Sequence, residues 1–264
     1  MLKRRLIPVL FLRNGWLVRS ESFCEYKNLG NPVAQVDRYN AWDVDELIYI
    51  DISSSDSEDH LTRGKLSTDQ QGFSCSIFEV IDAVAERCFM PLTVGGGIRT
   101  LDDIQMRLSR GADKVTINSE ALRRPDFIGE AAAQFGSQAI VVSMDFVRDN
   151  GGLQIYSRQV DCAGLSAGDW IREIENQGAG EIFLNSVDRD GRATGYDLDL
   201  IRLVMDKTSI PVIACGGAGS YDDFVELFEQ TGVSAAAAGN IFHFREMSYI
   251  LAKRRLIEAT VNVR

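Results

Sequence analysis

The feature that most constrains this chain is an internal repeat. Pro91-Leu-Thr-Val-Gly-Gly-Gly-Ile-Arg-Thr-Leu-Asp-Asp103 returns 120 residues later as Pro211-Val-Ile-Ala-Cys-Gly-Gly-Ala-Gly-Ser-Tyr-Asp-Asp223. Both copies read as a short apolar strand, a glycine-rich turn and the start of a helix. Glu46-Leu-Ile-Tyr-Ile50 pairs in the same way with Glu181-Ile-Phe-Leu-Asn185, at an offset of 135, and Val9–Leu12 with Ser143–Phe146, at 134. Eight strand candidates result: Leu6–Leu12, Glu46–Ile52, Leu92–Gly95, Lys114–Ile117, Ala139–Phe146, Glu181–Val187, Val212–Cys215 and Ala235–Gly239. Apolar residues at helical spacing follow them, as in Phe78, Ile81 and Ala85, or Trp170 and Ile174. Strands that are apolar throughout, each followed by a helix, make a parallel sheet whose outer face is covered. Eight such units in 264 residues predict a single α/β (β/α)8 TIM barrel over residues 1–264, built as two duplicated half-barrels. An open doubly wound sheet is the alternative, and the first strand lacks the GxGxxG turn that would favour it.

The two offsets differ by about 15, which places an insertion in the first half. The polar run Ser53–Cys75 is its natural position. It follows a strand, so it is expected at the C-terminal face of the barrel as a lid or a disordered loop.

Composition narrows the partners. A formal net charge of −10 makes the chain a poor general polyanion binder, so nucleic acid is not expected. No run of about 18 apolar residues is present, which argues against a membrane span. The opening MLKRRLIPVLFLRNG reads as a first strand rather than a signal peptide. Five irregularly spaced cysteines point to reduced thiols and a cytoplasmic protein. Cys24, Cys75, Cys162 and His60 could be drawn together on one face, but their spacing fits no close-set metal motif, and no metal is expected. Cys88 and Cys215 read as small buried hydrophobes, and His243 as a structural residue at a helix start.

The glycine turns carry the first chemical signal. Glycine lets the backbone approach an oxyanion closely, and a helix N-terminus after it presents N–H groups to a phosphate. The turns Gly95, Gly96, Gly97 and Gly216, Gly217, Ala218, Gly219 occupy repeat-related positions. Each is followed one unit later by a small polar strand end, Asn118-Ser119 and Gly239-Asn240. Two phosphate sites on opposite sides of one barrel mouth suit a phosphorylated small molecule with a phosphate at each end.

Over nearly its whole length the chain resembles the cyclase subunit family of imidazole glycerol phosphate synthase. The segments that carry the likeness are Asn31-Pro32, Asp45–Asp51, Thr93–Ile98, Gly111–Val115, Phe135–Gln138, Asp188–Gly191, Gly195–Asp197, Cys215–Gly219 and Phe242–Glu246. The resemblance implies a half-barrel duplication without a cofactor. It also implies that ammonia from a glutaminase subunit, bound as a heterodimer, passes through the barrel to cleave and cyclise a phosphoribosyl substrate at the opposite mouth. It assigns acid–base chemistry to two aspartates, at the ends of the first and fifth strands, and adds Asp190 and Gly191 to the second phosphate site.

Here the sequence departs from the family. Asp145 is present on the fifth strand, but its repeat partner on the first strand is Phe11, which can neither take nor give a proton. Loss of one acid–base group commonly removes about 10²–10⁴-fold of rate. The ring beside Asp145 is expected to raise its pKa by desolvation. Asn185 replaces a threonine, Arg192 a small hydroxyl residue, and Gly239-Asn240 an alanine-serine pair. A basic side chain at 192 would favour a phosphate. At the other end, the residues matching the family's charged ammonia gate are all kept: Arg5, Glu46, Lys114 and Glu181. Together these features suggest a divergent paralogue. Relatives of this kind accompany surface-polysaccharide pathways, where the barrel would feed ammonia to an ATP-dependent amidotransferase that makes an acetamidino sugar. The competing expectations are an active histidine-pathway cyclase and, more remotely, a related half-barrel isomerase. Phe11 counts equally against the isomerase.

Overall fold

The computed structural model describes residues 3–53, 77–149, 152–243 and 246–264. The expected insertion at 53–75 therefore lies outside the described residues apart from Ser53, as do Cys75 and His60. The strands are β1 (Arg5–Arg13), β2 (Trp16–Glu21), β3 (Glu25–Gly30), β4 (Leu47–Asp51), β5 (Leu92–Gly95), β6 (Lys114–Ile117), β7 (Ile140–Asp149), β8 (Gly152–Tyr156), β9 (Glu181–Ser186), β10 (Val212–Cys215) and β11 (Ala235–Ala238). The helices are α1 (Ala34–Ala41), α2 (Ile77–Ala85), α3 (Leu101–Ser109), α4 (Ser119–Arg123), α5 (Asp126–Phe135), α6 (Ala167–Asn176), α7 (Leu198–Met205), α8 (Tyr221–Gln230), α9 (Asn240–His243) and α10 (Ser248–Glu258).

Eight strands run parallel in the order β1-β4-β5-β6-β7-β9-β10-β11, and β11 closes on β1 by pairing Ala235 with Arg5. This is the closed (β/α)8 barrel that the alternation of elements predicts. Its register slips by eight residues in one circuit. Phe11 leads through Ile50, Gly95 and Thr116 to Val141, and Ser143, two residues on, leads through Phe183, Ile213 and Ala235 to Arg5. That shear fixes which residues face the axis. The inward set, with Ile7, Val9, Phe11, Ile48, Val141, Phe183, Ile213 and Ala235, forms one small apolar cluster. The alternate residues, such as Leu10, Tyr49, Val94, Val142 and Leu184, join a larger shell under the helices.

Three strands lie outside the sequence reading. β2 and β3 form an antiparallel hairpin on the end of β1, and β8 adds to the end of β7. All extend from C-terminal strand ends and stand at the barrel mouth. The β1–β2 turn is Asn14-Gly15, with φ of 51° and 78°. An Asn-Gly step with positive φ at both residues matches the right-handed strand twist, and this hairpin signal was legible in the sequence.

The repeat extends to atomic detail at two helix starts. Thr100 caps α3 by accepting from Asp103 N, and Ser220 caps α8 by accepting from Asp223 N, each as a reciprocal capping box. Thr100→Ala and Ser220→Ala should each lower unfolding free energy by about 1 kcal/mol, and the double substitution by about their sum. Urea denaturation monitored by circular dichroism measures both.

Candidate functional site

The inward-facing residues define a charged bottom, an apolar middle and a polar mouth. At the bottom, Arg5, Glu46, Lys114 and Glu181 form a closed ring of alternating charge. Arg5 Nη1 donates to Glu46 Oε1 at 2.8 Å and Arg5 Nη2 to Glu181 Oε1 at 2.6 Å. Lys114 Nζ donates to Glu181 Oε2 at 2.7 Å and sits 3.6 Å from Glu46 Oε2. All four side chains are at most 20 % exposed. The sequence predicted these four residues together, and the shear brings them to one level. Burial works against the Glu181 carboxylate, but Arg5 and Lys114 more than offset it and hold its pKa below the usual value. The same pairing raises Arg5 despite its own burial.

At the mouth, Asp145 is half-buried. Burial pushes its carboxyl up to about 7, and the Asp190 charge adds to this, while hydrogen bonds from Asn118, Asn185 and Ser143 act in the opposite sense. Asn118 Nδ2 donates to Asp145 Oδ2 at 2.7 Å. Three buried oxygens nearby on the inward faces have no protein partner: Thr116 Oγ1, Asn118 Oδ1 and Asn185 Oδ1. Phe11 is 7 % exposed and belongs to the apolar interior. It pairs with Ile50 as Asp145 pairs with Asn185, so β1 and β7 are equivalent in register and differ in chemistry.

The glycine turns are built for close backbone approach. Gly96 and Gly216 have φ of 98° and 95°, and a Cβ at Gly96 would stand 2.0 Å from Asp51 O. A Cβ at Gly217, with φ of 111°, would stand 2.0 Å from Gly195 O. A cavity of about 230 Å³ opens beside the second turn, lined by Gly191, Gly216–Gly219, Gly239, Asn240, Arg19 and Phe11 among others.

Several expected phosphate ligands have other work. The N–H groups of Gly219 and Ser220 are taken by Asp223, and those of Arg99 and Thr100 by Asp103. These four N–H groups are thus satisfied within the chain. The Asn118 amide serves Asp145, and Ser119 opens the short helix α4. Asp190 accepts from Ser20 Oγ at 2.6 Å and orders the loop against the β2–β3 hairpin. The Asn240 amide donates to Ser20 O at 3.1 Å. Arg192 is exposed, and its Nε donates to Ser22 Oγ at 2.9 Å, so it binds the hairpin tip. Sequence reasoning missed Ser20, Ser22, Tyr26 and Arg158, because contacts made across 130 to 170 residues leave no local pattern.

Burial lowers the His243 imidazole to about 4, in keeping with a structural role. Cys215 is buried on the barrel axis as expected, whereas Cys88 is only half-buried. No cluster of three metal-type side chains occurs among the described residues, nor does any helix among them have the length and apolarity to cross a membrane.

Glu181→Gln leaves Arg5 and Lys114 short of a counter-charge and should cost roughly 2–4 kcal/mol at neutral pH. The Glu181 pKa is depressed on folding, so its contribution is present above its ordinary value of 4.5 and is lost as pH falls through the lower folded value. The gap between wild type and variant in thermal melts should therefore close in acid. Asp145 has the opposite sign. Its raised pKa means that ionisation opposes folding as pH rises from about 4 to about 7, so Asp145→Asn should stabilise by roughly 2–4 kcal/mol at pH 8 and little at pH 4.

Residues 5–248 match the family model described as "Histidine biosynthesis protein". The chain is 40% identical, over all of both chains, to imidazole glycerol phosphate synthase subunit HisF of Alkaliphilus metalliredigens. Its identity to the HisF subunit of Natranaerobius thermophilus is also 40%, again over both full lengths. A protein of Vibrio vulnificus carrying the name imidazole glycerol phosphate synthase subunit hisF2 is 42% identical over all of this chain and 92% of its own length.

Proposed function

Because this chain belongs to the histidine biosynthesis protein family, as a divergent member of its HisF branch, we propose that it carries ammonia rather than completing the cyclase reaction. In this reading a glutaminase docks under the ring of Arg5, Glu46, Lys114 and Glu181 and releases ammonia at the bottom mouth. Neutral ammonia can cross the apolar interior formed by Ile7, Ile48, Val141, Phe183 and Ile213, whereas ammonium would lose its hydration there. At the top, Thr116 Oγ1, Asn118 Oδ1 and Asn185 Oδ1 lack donors, and ammonia brings N–H groups to them. The acceptor is a sugar of a surface-polysaccharide pathway, amidinated by an ATP-dependent amidotransferase that receives the ammonia. Cytoplasmic placement fits that role.

The observation that carries this reading is the contrast between the two ends of one barrel. The four-charge ring is complete, while of the carboxylate pair that the resemblance assigns to ring closure only Asp145 is present, with phenylalanine at the equivalent position 11 of β1. One group cannot hold a proton and lack it in the same step.

A second reading is favoured by Asp145 itself. A carboxyl titrating near 7 is suited to giving and taking a proton in turn, so a slow cyclase working with one residue is the competing function.

The assay is ring closure on the histidine-pathway substrate with free ammonium salts, together with complementation of a histidine auxotroph that lacks its cyclase. We expect no measurable product and no rescue. Phe11→Asp alone should restore little, because Asn185, Arg192 and Asn240 differ as well. Formation of imidazole glycerol phosphate at about 1 s⁻¹ or faster would establish the cyclase instead. Affinity purification from the native cell should recover a protein with glutaminase activity at one-to-one stoichiometry.

A further inference from the structure

The two glycine turns share a backbone shape and are fastened by different chemistry. Gly96 and Gly97 have φ of 98° and 67°, and their repeat partners Gly216 and Gly217 have 95° and 111°. In the second turn the Gly217 carbonyl accepts from the Gly195 N–H at 2.9 Å, a neutral backbone bond. In the first turn the Gly96 carbonyl accepts from a side chain, Arg107 Nη2, at 2.7 Å. At the repeat offset of 120 residues, the partner of Arg107 is Leu227, which is fully buried in the apolar shell. One half of the repeat therefore carries a cation where the other half carries a hydrocarbon.

Arg107 is 3 % exposed, although arginine is seldom buried unless it is paired. Its Nη1 donates to Asp103 O, one helical turn back, at 2.8 Å, and the ring centroid of Phe78 on α2 lies 5.4 Å from the guanidinium. The side chain thus runs back along α3 toward the glycine turn, the direction helical side chains favour. Both guanidinium bonds go to carbonyl oxygens, and the buried Nε has no acceptor among the described residues. Asp103 and Asp51 act on the charge through space, but burial lowers its pKa by more than they raise it. The geometry of the turn follows from the same bond. In a planar trans peptide the carbonyl and the N–H point in opposite directions. With the Gly96 carbonyl held against Arg107 on the buried face of α3, the Gly97 N–H is turned to the other side, toward the mouth.

We infer that Arg107 is the positioning residue of the first glycine turn: it aims the Gly97 N–H at a bound anion and sets a buried positive charge behind it, so that this turn binds anions by charge as well as by backbone, and the second turn by backbone alone. Arg107 does not touch the ligand and acts through the Gly96 carbonyl. A charge in the interior is screened far less by salt and water than one at the surface, so its effect reaches across the turn. The inference rests on anion binding at the first turn and adds the residue that controls it. It does not depend on ammonia transfer.

Inorganic phosphate titrated into the full chain, and followed by NMR at the Gly97 and Gly217 amides, reads the two turns separately. In wild type the Gly97 amide should shift and saturate. Arg107→Leu installs the residue that the second half carries at this position. It should weaken phosphate at Gly97 by about 10-fold or more, keep any response at Gly217 within about 2-fold, and move the Gly96 carbonyl carbon resonance, which reports the lost bond. Arg107→Lys keeps the charge and a donor, and should bind phosphate at Gly97 within about 3-fold of wild type. A wild-type Gly97 amide that does not respond to phosphate overturns the inference. So does an Arg107→Leu variant whose affinity at Gly97 is unchanged, or is weakened equally at both turns. If Arg107→Leu does not fold, Arg107→Lys decides, and a loss at Gly97 greater than about 3-fold overturns the inference. These titrations read anion binding alone, so they can fail while ammonia transfer holds, and the converse.

Discussion

The parallel seam between β11 and β1 holds the rest of the molecule in place. Ala235 pairs with Arg5 and Ala238 with Pro8, and with those contacts the ring of eight parallel strands is closed. Closure forces the strands to tilt and to slip by eight residues per circuit. It also sorts every barrel residue into inward or outward. Without it, Arg5 and Glu181 would belong to distant strands of an open sheet. With it, they lie 2.6 Å apart at one end of the axis. Phe11 and Asp145 reach the other end by the same alternation. The small side chains of β11 suit the seam, since alanine on both faces lets the axis cluster and the helix shell come close together.

The two ends then spend electrostatics differently. A buried ionic ring is weak support for stability, because desolvation offsets most of the attraction between its members. Removing one member is costly all the same, because it leaves a buried charge without its counter-charge. At the mouth the carboxylate of Asp145 has three hydrogen-bonding neighbours and no cationic one among the causes of its shift, so burial wins and the group titrates near neutrality. A second carboxylate at position 11 would add a like charge. A phenyl ring instead extends the apolar interior upward to the hairpin at Phe23.

The hairpins show how a repeat can diverge without losing its frame. β1 and β7 both end in an antiparallel extension, with Phe11 opposite Val18 and Asp145 opposite Tyr156. The backbone plan is shared, and the side chains on it are not. One hairpin brings Phe23 and Tyr26 over the axis, and the other brings Arg158 to meet them.

Fold and polarity were legible in the residues themselves. The repeat from Pro91 and Pro211, the eight apolar runs and the turns between them specify a closed barrel, because period and spacing are local properties of the chain. Four of the strand ranges differ from the structure by only a residue or so at an end, and Leu92–Gly95, Lys114–Ile117 and Val212–Cys215 coincide with it. Position 11 was also legible, since the repeat aligns it with Asp145. Even the β1–β2 hairpin had a signal in Asn14-Gly15. What only the tertiary structure decided were the partners of each polar group. Asp190 pairs with Ser20, Arg192 with Ser22, Asn118 with Asp145, and Gly219 with Asp223 rather than with a ligand. A hydrogen bond depends on direction and on distances of a few tenths of an ångström, and it joins residues far apart in sequence as readily as neighbours. Residue type sets what such a group can donate or accept, and the closed barrel sets what it meets.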